Sequence, residues 1–323
     1  MADIFTAFTA SPLKCGVACG TQHKPQNTTE ALRCMRNELT RLYAQEDDRA
    51  IFLLAYFVMT TQVNAAVRGV GEFNKVGPIF FDPDWVDRVA GRFAELYFQS
   101  LERSLSSAEP SSKAWELAMK KAAEQGASVL LNLLLGINAH INFDLALGIH
   151  ESIQQELLAL QALDDPREID RLTLELLARR KFDHDQLNNV LVDAYPRILR
   201  VLGREFGGGM GLLSWLFGMY DEIITFTSLR YYRDRVWHNV LGFLSTRYSE
   251  DARKVKLRLE WESHQMARFI IKGGLLNDVV YALDKSLRHF RTRRMQKEFR
   301  PDLDVKAHDK KKRRMDFRLQ RPF

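Results

Sequence analysis

Cysteine is scarce in this chain: 323 residues hold three, Cys15, Cys19 and Cys34. A single Cys-x3-Cys pair without a second one cannot supply the four ligands of a structural zinc site, so the three read as reduced thiols. The opening residues, MADIFTAFTASPLK, lack a basic stretch followed by an apolar one, which argues against a secretory signal and makes a cytoplasmic address the expectation. Alternating strands bounded by hairpin turns are missing, and so is any fixed-period repeat. Gly-x-Ser-x-Gly, a Walker loop and His-Glu-x-x-His are also absent, which removes the usual evidence for an α/β hydrolase, a nucleotide enzyme or a zincin. The paired Glu-x-x-His elements of a di-iron bundle do not occur. Gly207-Gly-Gly-Met-Gly211 follows a helical pattern rather than a strand, so no nucleotide cofactor is expected.

What the sequence does contain is apolar periodicity and uneven charge. Ala50 to Val67 carries no charge over 18 residues, but Thr60, Thr61, Gln62 and Asn64 crowd one half; a buried helix is expected there, and no stable membrane span. Gly207 to Tyr220 is uncharged and too short to span a bilayer; if exposed, it would suit a homo-oligomer contact. From Lys285 onward there are 15 Lys/Arg against 5 Asp/Glu, which leaves the preceding part mildly acidic. An acidic body does not suit a reader of duplex DNA. Lys310-Lys-Lys-Arg-Arg314 leaves a nuclear address open beside the reading of a solvated tail.

Helix signals are frequent. Asn27-Thr-Thr-Glu30 resembles a capping box before Leu32, Met35, Leu39 and Leu42. Asp48 is placed to cap a helix ending near Gly69. Asp82-Pro83 precedes Val86, Val89, Phe93 and Tyr97; Pro110-Ser-Ser and Asp165-Pro166 open two more helices. The fold expected is all-α: a single multi-helix bundle over 28–285 with a polar cluster on a central buried helix, a flexible arm over 1–27 and a basic extension over 286–323.

That cluster lies in Gly136-Ile-Asn-Ala-His140-Ile-Asn-Phe-Asp144-Leu-Ala-Leu-Gly148. Polar and apolar residues alternate there as in a strand, but long helical runs on both sides favour a helix in which His140 and Asp144 share a face, as do Asn138 and Asn142. Such groups drawn into an apolar interior must find partners. They either lock neighbouring helices or form a ligand or metal site. Asp183-His-Asp185-Gln-Leu-Asn188 reads as a second polar stretch, with Asp183 capping the helix that follows and Asp185 and Asn188 able to turn toward His140. A set of His140, Asp144 and Asp185 would suit zinc, iron or manganese. Arg233 and Trp237, one turn apart, complete the candidates.

These stretches resemble an uncharacterised helical family, domain of unknown function 5995. Asn138-Ala-His140-Ile-Asn142-Phe-Asp144-Leu145 is similar to that family's N-A-H-I-N-x-D-L signature. Asp183-His-Asp185-Gln-Leu187-Asn188 is similar to D-x-D-x-V-N, and Arg233-Asp-Arg-Val236-Trp237 to A-R-x-x-A-W. Phe80-Phe-Asp-Pro83 with Phe93-Ala-Glu95-Leu-Tyr97-Phe98 follows F-x-D-P and F-A-N-L-Y-F, with glutamate in place of asparagine. Phe52-Leu53-Leu-Ala-Tyr56-Phe57 resembles F-N-x-x-Y-L, with leucine in place of asparagine. The resemblance spans 48–244 and implies the helical fold and the importance of the cluster, without an activity or a cofactor.

Two functions follow as expectations. The first is an enzyme acting on a small, largely apolar metabolite by metal-assisted or general acid/base hydrolysis, cyclisation or elimination. Its catalytic residues are His140, Asp144, Asp185 and Arg233; Asn138, Asn142, Asn188, Tyr56 and Trp237 line the substrate; a divalent metal is held by His140, Asp144 and Asp185. The second is a non-catalytic ligand-binding or scaffold protein in which the same polar groups only fix helix packing.

Overall fold

The structure, a computed structural model, describes residues 24–272 except 76, 107, 126, 207–233 and 247–248. The segment around Gly207–Gly211, Arg233, the basic tail and most of the N-terminal arm lie outside the described residues. Among the described residues there is no strand. Helix α1 covers Thr28–Ala44, α2 Arg49–Arg68, α3 Pro83–Leu105, α4 Lys113–Ala123, α5 Val129–Ala139, α6 Leu145–Leu160 and α7 Pro166–Phe206. Residues 234–244 form α8, and Ser249–Lys272 form α9. A short 3-10 turn spans Gly71–Lys75, and a π-helical turn, His140–Asp144, joins α5 to α6.

Most boundaries follow from side chains that replace missing backbone partners. Asn27 Oδ1 accepts the Glu30 N–H at 2.9 Å while Glu30 Oε2 accepts that of Gln26 at 2.9 Å, a capping box displaced by one residue. Asp82 caps α3 through Trp85 N–H and Ser112 caps α4 through Trp115 N–H. Gly69 closes α2 in the left-handed conformation, φ 61°, that a side chain would strain. Two expectations are corrected. Asp48 makes no side-chain cap, and Asp47 Oδ1 takes the Arg49 N–H instead. Asp183 does not open a helix, because α7 runs unbroken from Pro166 past it to Phe206.

The uncharged run of α2 is a core helix: Ile51, Leu53, Phe57 and Val58 are at most 2% exposed, each worth about 1.5–3 kcal/mol of burial. It packs against α1, α3, α5 and α7. Two stretches, 49–74 and 129–160, are long and apolar enough to cross a membrane, but 72% of an apolar 18-residue run within each is buried inside the fold. Val86 and Val89 of α3, Ile149 and Ile153 of α6, Leu191 of α7 and Val236 and Val240 of α8 form a further apolar cluster. Cys34 is fully buried and disulfide-bonded, which corrects the reduced-thiol reading at that position.

Candidate functional site

Ser128 accepts the Leu131 N–H at 3.1 Å and starts α5. Eleven residues later the ladder slips: Leu145 N–H donates to His140 O, an i→i+5 bond, and the turn between them is π-helical. This widened turn, where an α-helix was expected, keeps His140 and Asp144 on one face. Turns of this kind are over-represented at functional sites. His140 Nδ1 lies 2.9 Å from Asp144 Oδ2, and Trp115 Nε1 donates to the same oxygen at 2.8 Å. An ionised Asp144 gathers two donors here, and the imidazole facing it then carries its proton on Nδ1. Nε2 is buried and has no hydrogen-bond partner among the described residues.

The imidazole sits in an aromatic enclosure. Phe93 stacks on it at 3.5 Å and 8°, Tyr56 meets it edge-on at 4.5 Å, and Phe52, Trp115 and Tyr97 lie 5.7, 5.9 and 6.1 Å away. Gly136 makes the enclosure possible, because a Cβ there would stand 2.4 Å from the Phe52 ring. His140 and Asp144 are each 2% exposed. Burial lowers the imidazole pKa while Asp144 pushes it back up. Burial raises the carboxyl of Asp144, against the bonds from His140 and Trp115. Both shifts reflect the cost of holding a charge at this depth, offset in part by the contact between the two groups.

The other predicted residues separate from this pair. Asn142 Nδ2 donates to Asn138 Oδ1 at 2.9 Å, as their spacing implies, but Asn138 Nδ2 donates to Ser263 O of α9. This amide ladder ties α5 to α9. Asp185 does not join His140: both its oxygens take Lys181 Nζ at 2.6 Å on its own helix. Among the described residues no three His, Cys, Asp or Glu are grouped to hold a metal ion, so the set of His140, Asp144 and Asp185 is not assembled. Asn188 is half-buried, and its Oδ1 has no partner among the described residues. Trp237 lies 5.7 Å from the buried His184 ring, in the apolar cluster. Tyr56 does line the His140 enclosure; burial raises its phenol well above the usual value, against a bond with Thr60.

Asp183, fully buried, caps the start of a different helix. It accepts Phe81 N–H at 2.5 Å and Asp82 N–H at 3.1 Å, just ahead of α3. Arg180 beside it donates to Asp82 at 2.9 Å and to both oxygens of Glu156, and lies over the Trp85 ring. Glu95, where the family pattern has asparagine, pairs with Arg92 at 2.5 Å, and Arg92 also reaches Glu151 at 2.6 Å.

Sequence reasoning missed Trp115, whose place in the first turn of a short helix looks like ordinary core, and Asn132, a lone polar residue in an apolar run. Phe52 was visible only as part of the family pattern, and Phe93 and Tyr97 as that and as positions on the apolar face of α3. No curated protein and no solved structure matches the chain. The model of the family of unknown function DUF5995 matches residues 28–273, including the His140–Asp144 turn and its aromatic walls, and the chain belongs to that family.

Proposed function

We propose that the protein is an enzyme that moves a proton on a small, largely apolar metabolite, with His140 as the acid/base and Asp144 as the residue that orients and balances it. The observation that carries this reading is the unpartnered, buried Nε2 of an imidazole whose other nitrogen is held by a carboxylate. With the proton on Nδ1, Nε2 presents a lone pair. Taking up a proton there leaves an imidazolium facing the Asp144 carboxylate, the contact that offsets part of the cost of burying that charge. The five aromatic walls favour a substrate with apolar or aromatic bulk. Entry requires movement of one of them, since the pair is sealed in this state. Hydrolysis, cyclisation or elimination all fit a single acid/base group.

The alternative is a scaffold role. The stacking of His140 on Phe93 and the shared oxygen of Asp144 support it, because the same contacts weld α3, α4 and α5 together. Untargeted mass spectrometry of a metabolite extract incubated with wild type, His140→Gln and Asp144→Asn separates the two. Species consumed or formed only by wild type, with all three proteins folded, support catalysis. Identical profiles from three folded proteins sink it.

A cytoplasmic address remains part of the proposal.

A further inference from the structure

Asn132 is 4% exposed, and both its amide nitrogen and its amide oxygen are buried without a hydrogen-bond partner among the described residues. Native interiors rarely leave such groups unanswered. Its position in α5 is informative. Asn132, Gly136 and His140 follow one another at intervals of four residues and share one helix face. Phe52 of α2 lies against the middle of that face, on Gly136, and touches the His140 enclosure with the same ring. The face therefore carries unpartnered polar atoms at both ends and one aromatic ring between them. Eight residues of helix separate the ends, about 12 Å.

We propose that Asn132 is a second polar contact for the molecule that reaches His140, and that Phe52 is the partition this molecule displaces. This rests on the acid/base reading of His140 and adds the substrate class. The molecule is a short compound with an apolar body and, remote from the reacting atoms, a group that both donates and accepts a hydrogen bond, such as a carboxamide or a hydroxyl. An amide side chain matches such a group with one donor and one acceptor. Asn132 is a positioning residue under this assignment, and His140 alone meets the reacting atoms.

Calorimetric titration of the full chain with 4-phenylbutanamide and with butylbenzene tests the contact, because the two probes share the apolar body and differ in the amide. Wild type should bind the amide at least tenfold more tightly than the hydrocarbon. Asn132→Leu should lose that preference, keep its affinity for butylbenzene, and unfold at a temperature no lower than wild type, since an unanswered amide has been replaced by an apolar group of similar size. Should Asn132→Leu not fold, Asn132→Ala carries the same expectation for the preference. Equal binding of both probes to wild type, an undiminished preference in the variant, or no binding of either probe at millimolar concentration overturns the contact. Loss of metabolite turnover in His140→Gln with probe preference untouched by Asn132→Leu would remove the Asn132 contact and leave the acid/base reading standing. Probe preference that depends on Asn132 in a protein whose metabolite profile is indifferent to His140→Gln would do the reverse.

Discussion

Two buried polar centres lie along α3, one at its start and one beside Phe93 and Tyr97, and they treat their polar groups differently. At the start of α3, the Arg180 guanidinium spends its Nε, Nη1 and Nη2 on Glu156 and Asp82, and Asp183 accepts two backbone N–H groups. At the π turn, Asp144 is likewise answered twice, yet His140 keeps one nitrogen in reserve and Asn132, two turns upstream, keeps a whole amide. Satisfied networks hold a fold together, whereas a buried group without a partner is stability forgone and needs another reason to exist.

The comparison can be broken by mutation. Asp183→Ala should cost the most, about 3 kcal/mol, because two backbone donors and part of the Arg180 charge lose their acceptor; urea denaturation measures it, and a loss under 1 kcal/mol would mean that the centre is not structural. Gly136→Ala drives a methyl into the Phe52 ring and should lower stability by about 1–3 kcal/mol, read from thermal unfolding. His140→Gln should cost only about 1 kcal/mol, since it removes one hydrogen bond; a loss equal to that of Asp183→Ala would place both centres in the same structural class.

The same variant sharpens the pH behaviour. Burial lowers the folded imidazole pKa of His140 below its unfolded value. The unfolded chain therefore takes up the proton first as pH falls through about 6.5, and wild type should lose stability there relative to His140→Gln. Denaturation midpoints of both proteins between neutral and mildly acidic pH check the sign. Asp185→Ala should change stability by less than about 0.5 kcal/mol in the same assay, because its pair with Lys181 is partly exposed on a helix surface.

The helical class and most helix starts were legible because caps and prolines act locally: Asp82-Pro83 and Ser112 do what their types dictate. The i,i+4 pairing of His140 with Asp144 and of Asn138 with Asn142 was legible for the same reason. What was not legible depends on the angle between helices. Asn138 and His140 stand two residues apart and point to different neighbours, so four polar residues that look like one site in sequence divide into an amide ladder on α9 and a dyad among aromatics. Asp183 looks like the cap of its own helix, and only the packing of α7 beside the start of α3 turns it into the cap of another. Trp115 reaches Asp144 across 29 residues of chain, a distance no local pattern records.

The π turn carries one consequence for the whole rod from Val129 to Leu160. A helix that admits one i→i+5 bond holds one residue more than its length requires, and every position after it is rotated by about 100° relative to an uninterrupted α-helix. The turn is a phase splice: it lets α5 present His140 and Gly136 toward α2 while α6 buries Ile149 and Ile153 in a different cluster. Removing a single residue between His140 and Asp144 would restore a regular ladder and aim the whole of α6 at the wrong neighbours.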